Sequence, residues 1–185
     1  MKIHYGNPTG PADLRQILEL QRLNLPANIS ATELQEQGFV TVQHTQELLA
    51  DMNAAEPQII AKDGDAVVGY ALVMLREFST RIPTLMPMFE MLQTLSYRGR
   101  PLSAWKYYVV GQLCVAKSHR GQGLVEGMYE QHCRQLSDRY DFVVTKISDR
   151  NPRSLRAHWR AGFETIHRYT EADGQTWDIV LWDWH

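Results

Sequence analysis

The feature that most constrains the fold is an apolar run that leads through a glycine-rich turn into an amphipathic helix. The run Tyr107–Val115 has the composition of a buried strand, and the turn Arg120-Gly121-Gln122-Gly123 follows it closely. The helix after the turn places apolar side chains along one side, namely Val125, Tyr129, Cys133 and Leu136. This part of the chain therefore predicts a strand and a helix joined by a tight glycine turn.

The sequence before this segment predicts two helices and a hairpin. Thr9-Gly10-Pro11 is a helix start, and Leu14, Ile17, Leu18 and Leu25 follow at roughly helical spacing. Residues 38–42 have the pattern of a short extended segment. Thr45 can cap a second helix, whose buried side would hold Leu48, Leu49 and Met52. Strands at 58–62 and 66–73 flank Asp63-Gly64-Asp65, a sequence that tolerates the backbone of a tight hairpin.

The remaining segments complete a mixed α/β pattern. Residues 141–147 predict a strand, Asn151-Pro152 opens a helix, and two closing strands at about 163–169 and 176–184 flank Asp173-Gly174. Residues 76–104 are irregular, with three prolines and a methionine-rich stretch. Such a long connection is usually functional or disordered, and the alternative is a short helix packed on the core. Alternating strands and helices with hairpins at both ends imply a mixed sheet covered by helices.

The glycine turn has the features of a pyrophosphate-binding loop. The first turn of a helix leaves backbone N–H groups unpaired and carries a positive partial charge. Glycines remove side chains that would keep a phosphate away from these donors, and Arg120 adds a fixed charge. No Lys-Ser or Lys-Thr follows the glycines at P-loop spacing, and the third glycine of a dinucleotide fingerprint is missing. A tight connection without any ligand is the alternative.

Two motifs in this chain resemble those of one enzyme family. Arg120-Gly121-Gln122-Gly123-Leu124-Val125 resembles the acyl-CoA loop of the GNAT N-acetyltransferases, Gln/Arg-x-x-Gly-x-Gly/Ala. Arg120 and Gly123 match this pattern, whereas Val125 stands where the family usually has Gly or Ala. The segment from Asn151 to Phe163 is similar to the second CoA motif of the family, an Asn followed by a helix that ends in Gly-Phe.

The resemblance implies a fold and a cosubstrate. The expected fold is the GNAT acyl-CoA N-acyltransferase fold, a mostly antiparallel α/β sheet that splays open at the cofactor strand and is flanked by helices. Residues 1–185 would form a single domain, with the insertion at about 76–104 shaping the acceptor site. The expected cosubstrate is acetyl-CoA. Its implied contacts are Leu113, Cys114 and Val115 for pantetheine and the acetyl carbonyl, Arg120, Gly121, Gln122, Gly123, Leu124 and Val125 for the pyrophosphate, and Asn151 and Ser154 for pantetheine.

The resemblance also indicates a catalytic candidate. The family often places a tyrosine general acid four residues before the glycine of Gly-Phe, and this position is His158 here. A histidine can donate a proton near neutral pH, and a buried helix histidine with a satisfied hydrogen bond is the alternative. Glu77 and Glu90 are candidate bases, with a water chain as the alternative. Cys114 is not expected to form an acyl intermediate, because buried strand cysteines are usually inert.

Composition and charge narrow the choice of partners. The formal net charge of −2 gives no indication of a nucleic-acid partner. The two cysteines and the absence of a signal-like or membrane-spanning apolar run favour a cytoplasmic protein. Histidines at ligand spacing with carboxylates or cysteines are missing, so no metal is expected. A homodimer is implied only by the resemblance, because dimers are frequent in that family.

Three functions are consistent with these observations. The first is transfer of an acetyl group from acetyl-CoA to a primary amine of a small molecule or peptide. The second is a non-catalytic acyl-CoA-binding or regulatory module, which the replacement of the tyrosine by His158 keeps open. The third is a nucleotide-binding protein unrelated to CoA, for which ATP or NAD would compete for the loop.

Overall fold

The computed structural model describes residues 2–30, 40 and 42–185, and its centre is a mixed β-sheet. The strands of the described residues are β1 (Ile3–Gly6), β2 (Ile59–Asp63), β3 (Ala66–Met74), β4 (Ser96–Tyr97), β5 (Arg100–Pro101), β6 (Tyr107–Val115), β7 (Phe142–Ser148), β8 (Glu164–Thr170) and β9 (Thr176–Asp183). Seven of these described strands form one sheet in the order β1-β2-β3-β6-β7-β9-β8. Only β6 and β7 pair in parallel; the other neighbours in this sheet are antiparallel.

Helices cover both faces of the sheet. The α-helices of the described residues are α1 (Pro11–Leu23), α2 (Gln46–Ala55), α3 (Met86–Thr94), α4 (Leu124–Leu136) and α5 (Pro152–Arg160). On one face α1, α2 and α3 bury side chains such as Ile17, Leu49 and Met88. On the other face α4 and α5 bury Met128 and Leu155 among others. The predicted mixed α/β sheet covered by helices is confirmed.

Local sequence signals account for the element boundaries. The Thr45 hydroxyl accepts a hydrogen bond from the Leu48 backbone N–H at 3.1 Å, which confirms the predicted cap of α2. Gly64 and Gly174 occupy the predicted hairpin turns with φ of 57° and 81°, a region that disfavours residues with a Cβ. The sequence patterns of this chain therefore reflect real caps and turns.

The sequence left the structure of the segments 38–42 and 76–104 least defined. The extended segment predicted at 38–42 falls largely on residues 38, 39 and 41, which lie outside the described residues, and Val40 is buried. The irregular segment 76–104 contains α3 and the small β4–β5 hairpin. Because α3 buries Met88, Phe89 and Leu92, the alternative of a short helix packed on the core is confirmed.

Helix α4 approaches β1 so closely that one helical position has no room for a side chain. A Cβ built on Gly127 would lie 2.3 Å from Cζ of Tyr5 and 2.5 Å from its hydroxyl oxygen. Real Cβ atoms do not approach other atoms so closely, so the missing side chain at this position lets α4 lie against the β1 edge.

We therefore expect Gly127→Ala to destabilise the protein, although the same change in an open helix would stabilise it by about 0.5–1 kcal/mol. Overpacking against Tyr5 should cost about 1–3 kcal/mol of unfolding free energy, measured by urea denaturation. In a Tyr5→Ala background the change should become neutral or stabilising. A stabilising effect of Gly127→Ala in the parent protein would contradict this close approach.

Burial shifts the pKa of three histidines in the described part of the chain. Burial lowers the pKa of His44 and of His158 to about 4 and that of His132 to about 3. An imidazole has a pKa near 6.5 in an unfolded chain. Below that pH the unfolded chain binds protons that the folded protein does not bind. The free energy of unfolding therefore becomes smaller as the pH falls.

The free energy of unfolding should therefore fall between pH 6.5 and pH 4. At about 1.4 kcal/mol per pKa unit, His44 and His158 would each contribute up to about 3 kcal/mol to this loss. Urea unfolding at pH 7.5, 5.5 and 4.5 measures the slope, which should be shallower in His158→Gln. His4→Gln, at an exposed position, is the matched control. An unchanged slope in His158→Gln would show that this imidazole charges freely in the folded state.

Candidate active site

The site begins where the two parallel strands stop pairing. The β6–β7 register contains Tyr107 opposite Phe142, Tyr108 opposite Val143 and Val109 opposite Val144, and it ends there. Both strands nevertheless continue for several residues. The Thr145 hydroxyl donates a hydrogen bond to the Val110 carbonyl at 2.8 Å, just where the strands diverge. The β7-facing edge of β6 is therefore available to another partner beyond this point.

A β-bulge accompanies this divergence. The register of β6 against β3 shifts between Leu72 and Val73, so that Gln112 and Val110 are their partners and Gly111 lies between them. A bulge bends its strand and increases the local twist. The bend of β6 at Gly111 thus contributes to the opening between β6 and β7.

The glycine turn after β6 forms the predicted tight connection between a strand and a helix. Gly121 and Gly123 have φ of 76° and 77°, and Gly123 is the N-cap of α4. A Cβ on Gly123 would meet no atom within 4 Å, so the space next to the helix start is open. The first-turn amides of α4 have no acceptor within their own helix and carry its positive dipole end. The turn is thus suited to an anion.

Two guanidinium groups lie beside this turn. Arg120 donates through Nε to the Val115 carbonyl at 3.2 Å and through Nη2 to Oδ1 of Asn24 at 2.7 Å. Nη2 of Arg153 lies 3.8 Å from the position that a Cβ of Gly121 would take. Glu126, in the first turn of α4, forms an ion pair with Arg160 at 2.8 Å. Three arginines, at positions 120, 153 and 160, and one carboxylate, Glu126, thus give the start of the helix a net positive charge.

Helix α5 presents two polar side chains to the same space. The Asn151 Oδ1 accepts a hydrogen bond from the Ser154 backbone N–H at 3.0 Å, so Asn151 caps the helix. This bond uses the carbonyl oxygen and leaves the side-chain amide N–H groups as donors. Capping and ligand contact can therefore coexist at Asn151.

His158 is buried, and both of its ring nitrogens form hydrogen bonds. Its Nδ1 lies 2.8 Å from the Ser154 carbonyl and its Nε2 lies 2.7 Å from the Tyr129 hydroxyl. A carbonyl can only accept, so Nδ1 carries the proton and Nε2 accepts from Tyr129. Burial lowers the pKa of His158 to about 4, which makes the imidazole neutral near pH 7. The Ser154 hydroxyl lies 3.4 Å from Nδ1.

The thiol of Cys114 is held in its protonated form. Cys114 is 7% exposed, and its burial raises the pKa of the thiol to about 11. The charge of Arg120 and the hydrogen bond with the Tyr70 hydroxyl lower this pKa, but by less. A thiol, unlike a thiolate, is a poor nucleophile. This supports the prediction that Cys114 does not form an acyl intermediate.

Two cavities meet in the opening between the strands. The loop cavity, of about 350 Å³, is bounded by the glycine turn and the starts of α4 and α5. The cleft cavity, of about 160 Å³, lies between β6 and β7 and reaches α3. Residues shared by both walls are Val40, Leu113, Asn151, Ser154 and His158.

The structure brings most of the predicted site residues together. The loop cavity is lined by Leu113, Cys114, Val115, Arg120, Gly121, Gly123, Leu124, Val125, Asn151, Ser154 and His158. Gln122 does not line it; this exposed side chain donates to the Ser118 carbonyl at 3.1 Å. Glu77 and Glu90 line neither cavity.

Several wall residues were not assigned to the site from the sequence. Asn24 lies 96 residues before Arg120, and Val40 belongs to no recognisable motif. Leu85 and Met88, which belong to the segment 76–104, line the cleft cavity. The methionine-rich stretch was the only signal for this pair.

The described residues contain neither a metal-binding cluster nor a membrane-spanning helix. Within them no group of three or more His, Cys, Asp or Glu side chains could hold a metal ion. No helix in the described part of the chain is long and apolar enough to cross a bilayer.

Known structures with this architecture are numerous. A chain of the NatC complex bound to Gag peptide and CoA has a TM-score of 0.65 and 14% identity, with 100% of each chain covered. The YncA structure from Salmonella typhimurium with its cofactor acetyl-CoA has a TM-score of 0.67 and 13% identity, covering 100% of this chain and 95% of that one. The ribosomal-protein-S18-alanine N-acetyltransferase from Escherichia coli has a TM-score of 0.61 and 10% identity, with 98% and 94% covered. At these identities the likeness concerns the fold.

The sequence itself matches a family model over most of its length. A search for curated relatives finds no significant match. The model of the acetyltransferase (GNAT) family matches residues 15–163, a span that includes the glycine turn and the Asn151 helix. This chain therefore belongs to the GNAT acetyltransferase family.

Proposed function

We propose that the protein transfers an acetyl group from acetyl-CoA to a primary amine. The observation that carries this proposal is the meeting of the two cavities in the opening between β6 and β7, because a transferase must bring two reactants to one point. The loop cavity has the cationic helix start that a pyrophosphate needs, and the cleft cavity offers separate access for an acceptor.

The residues of the loop cavity fit the parts of acetyl-CoA. The amides at the start of α4, with Arg120 and Arg153 beside them, would hold the pyrophosphate. The open edge of β6 from Gly111 to Val115 would pair with the amide groups of pantetheine, as a further strand does at a sheet edge. The Asn151 side-chain N–H groups would donate to the same moiety. The cosubstrate supplies the activated thioester.

Transfer then requires a neutral amine and a stabilised leaving sulfur. The amine attacks the thioester carbonyl, the carbon–sulfur bond breaks, and the amine proton goes to water or to the sulfur. Ser154 lies on the wall shared by both cavities, where its hydroxyl could donate to the departing sulfur. His158, as a neutral imidazole held by Tyr129, would position Ser154 in this scheme. The sequence-based proposal, His158 as general acid, makes a different prediction for the pH profile.

Gly123→Asp should abolish acetyl-CoA binding, because it places a side chain and a negative charge at the helix start. The dissociation constant, measured by calorimetry, should rise more than a hundredfold. Gly174→Asp is the matched control: Gly174 has φ of 81°, similar to the 77° of Gly123, and a Cβ there also meets no atom within 4 Å. The control shares the backbone strain and lies outside both cavities. Equal binding by both variants and the parent would contradict the loop assignment.

His158→Ala should lower kcat by about tenfold to a hundredfold while the dissociation constant of acetyl-CoA changes less than threefold. The positioning role predicts that the kcat–pH profile of the variant keeps the shape of the parent profile. A cationic acid with a pKa of about 4 would instead make the parent kcat fall tenfold per pH unit above pH 4, a dependence that the variant would lose. Trp159→Ala, an exposed neighbour on α5, controls for helix disturbance. Unchanged kcat would remove His158 from the reaction.

One observation favours a second function, acyl-CoA binding without transfer. No carboxylate occurs among the described residues that line the cleft cavity, so none of them is an evident base for the amine. Release of free thiol from acetyl-CoA in the presence of an amine panel separates the two functions. Tight binding without thiol release from any amine would favour the binding module.

A further inference from the structure

The cleft cavity has an unusual chemical lining for a site that must accept an amine. Its polar wall on the β7 side consists of Lys146, Ser148, Arg150 and Trp177. We infer that the acceptor is an α-amino compound that carries an anionic group within a few bonds of its amine, together with one apolar substituent. This inference rests on the proposed acetyl transfer.

The first anchor for this anion is Lys146. Its side chain is 14% exposed, and Nζ lies 4.2 Å from the centre of the Trp177 ring. Nζ is also 3.5 Å from a carboxylate oxygen of Glu171, which is outside the cavity wall and 34% exposed. Such a long, partly solvated ion pair offsets the lysine charge only in part. A positive charge therefore remains fixed on the wall.

The neighbouring groups are hydrogen-bond donors. The Ser148 hydroxyl oxygen accepts from the Arg150 backbone N–H at 3.1 Å and from Nε2 of Gln175 at 2.8 Å, which leaves its own proton to be donated. Arg150 is exposed and adds a second cation at the rim. The two cations and the Ser148 hydroxyl together are complementary to a carboxylate.

The opposite side of the cleft cavity is apolar. Leu85, Met88 and Val110 are buried side chains that contribute to this wall. The volume of about 160 Å³ is similar to that of a cavity that holds one benzene-sized molecule, about 150 Å³. A compact acceptor of amino-acid size fits this space better than a long cationic chain. The methionine-rich segment thus supplies the apolar contact for one side chain.

The same charges bear on the state of the amine. A cation near an ammonium group disfavours its protonated form, so Lys146 and Arg150 would help to keep the acceptor amine neutral. The α-amino group of a peptide already has a lower pKa than a lysine side chain, about 7.7–8.0 against about 10.4. A polyamine would bring two or more ammonium groups towards like charges, which is unfavourable.

The test compares matched amines in acetyl-CoA turnover. The first pair is L-methionine and L-methioninamide, which share amine and side chain and differ in the carboxylate. The second pair is aspartyl-leucinamide and asparaginyl-leucinamide, in which the anion belongs to a peptide N-terminus. Spermidine is the polycationic comparison. The neutral amides have less basic amines, so a larger fraction of each amide is in the reactive, unprotonated form. Intrinsic reactivity would therefore favour the amides over the acids.

We expect kcat/KM of the anionic member to exceed that of its amide by tenfold or more in at least one pair, and spermidine to be the poorest substrate. The pair that discriminates identifies the source of the anion. In Lys146→Met combined with Arg150→Gln this ratio should fall to within threefold of unity. Arg156→Gln, at an exposed position of α5 that lines neither cavity, should keep the parent ratio.

A binding measurement gives a readout that does not need turnover. N-acetyl-methionine should raise the melting temperature of the CoA-bound protein more than N-acetyl-methioninamide does. Amides that equal the acids, or spermidine as the best substrate, would overturn the acceptor class and leave acetyl transfer intact. Absence of thiol release from every amine, with acetyl-CoA bound, would contradict both the transfer and the acceptor class.

Discussion

The structure depends on the point where hydrogen bonding between β6 and β7 stops. Three residue pairs join these parallel strands, and the next polar contact is the Thr145 hydroxyl on the Val110 carbonyl. Full pairing would close the sheet and separate its two faces. Because the strands diverge, a passage connects the α4–α5 face with the α1–α3 face, and backbone groups of β6 become available to an external partner. Both cavities are consequences of this early end of pairing.

The helices on either side of the opening are held together by a buried polar contact. Tyr129 of α4 is fully buried and donates to His158 of α5, and Phe163 packs against both rings at 4.7 and 5.1 Å between ring centroids. An unpaired phenol or imidazole at this depth would be costly, so each residue fixes the other. The start of α4 and the start of α5, which carries Asn151, therefore form one wall.

The sequence was most informative where local rules decide the structure. Neighbouring residues determine the bounds of β6, the caps at Thr45 and Asn151 and the tight turn at Gly121 and Gly123, and the sequence predicted all of these. Contacts between distant segments were not. Asn24 meets Arg120 across 96 residues, and nothing in either local pattern indicates this bond. Likewise, the spacing of α4 and α5 gave no sign that Tyr129 would engage His158, so the protonation of that imidazole required the tertiary structure.

Arg120 illustrates how folding can prepare a binding group. Its guanidinium is held by the Val115 carbonyl and the Asn24 side chain, so its rotamer is fixed by contacts within the protein. Immobilising a long side chain during association costs about 0.5–1.5 kcal/mol of conformational entropy. For this arginine most of that loss occurs when the chain folds, and an incoming anion would meet a cation that is already ordered. Affinity at the loop would then be limited more by desolvation of the anion than by reorganisation of the protein.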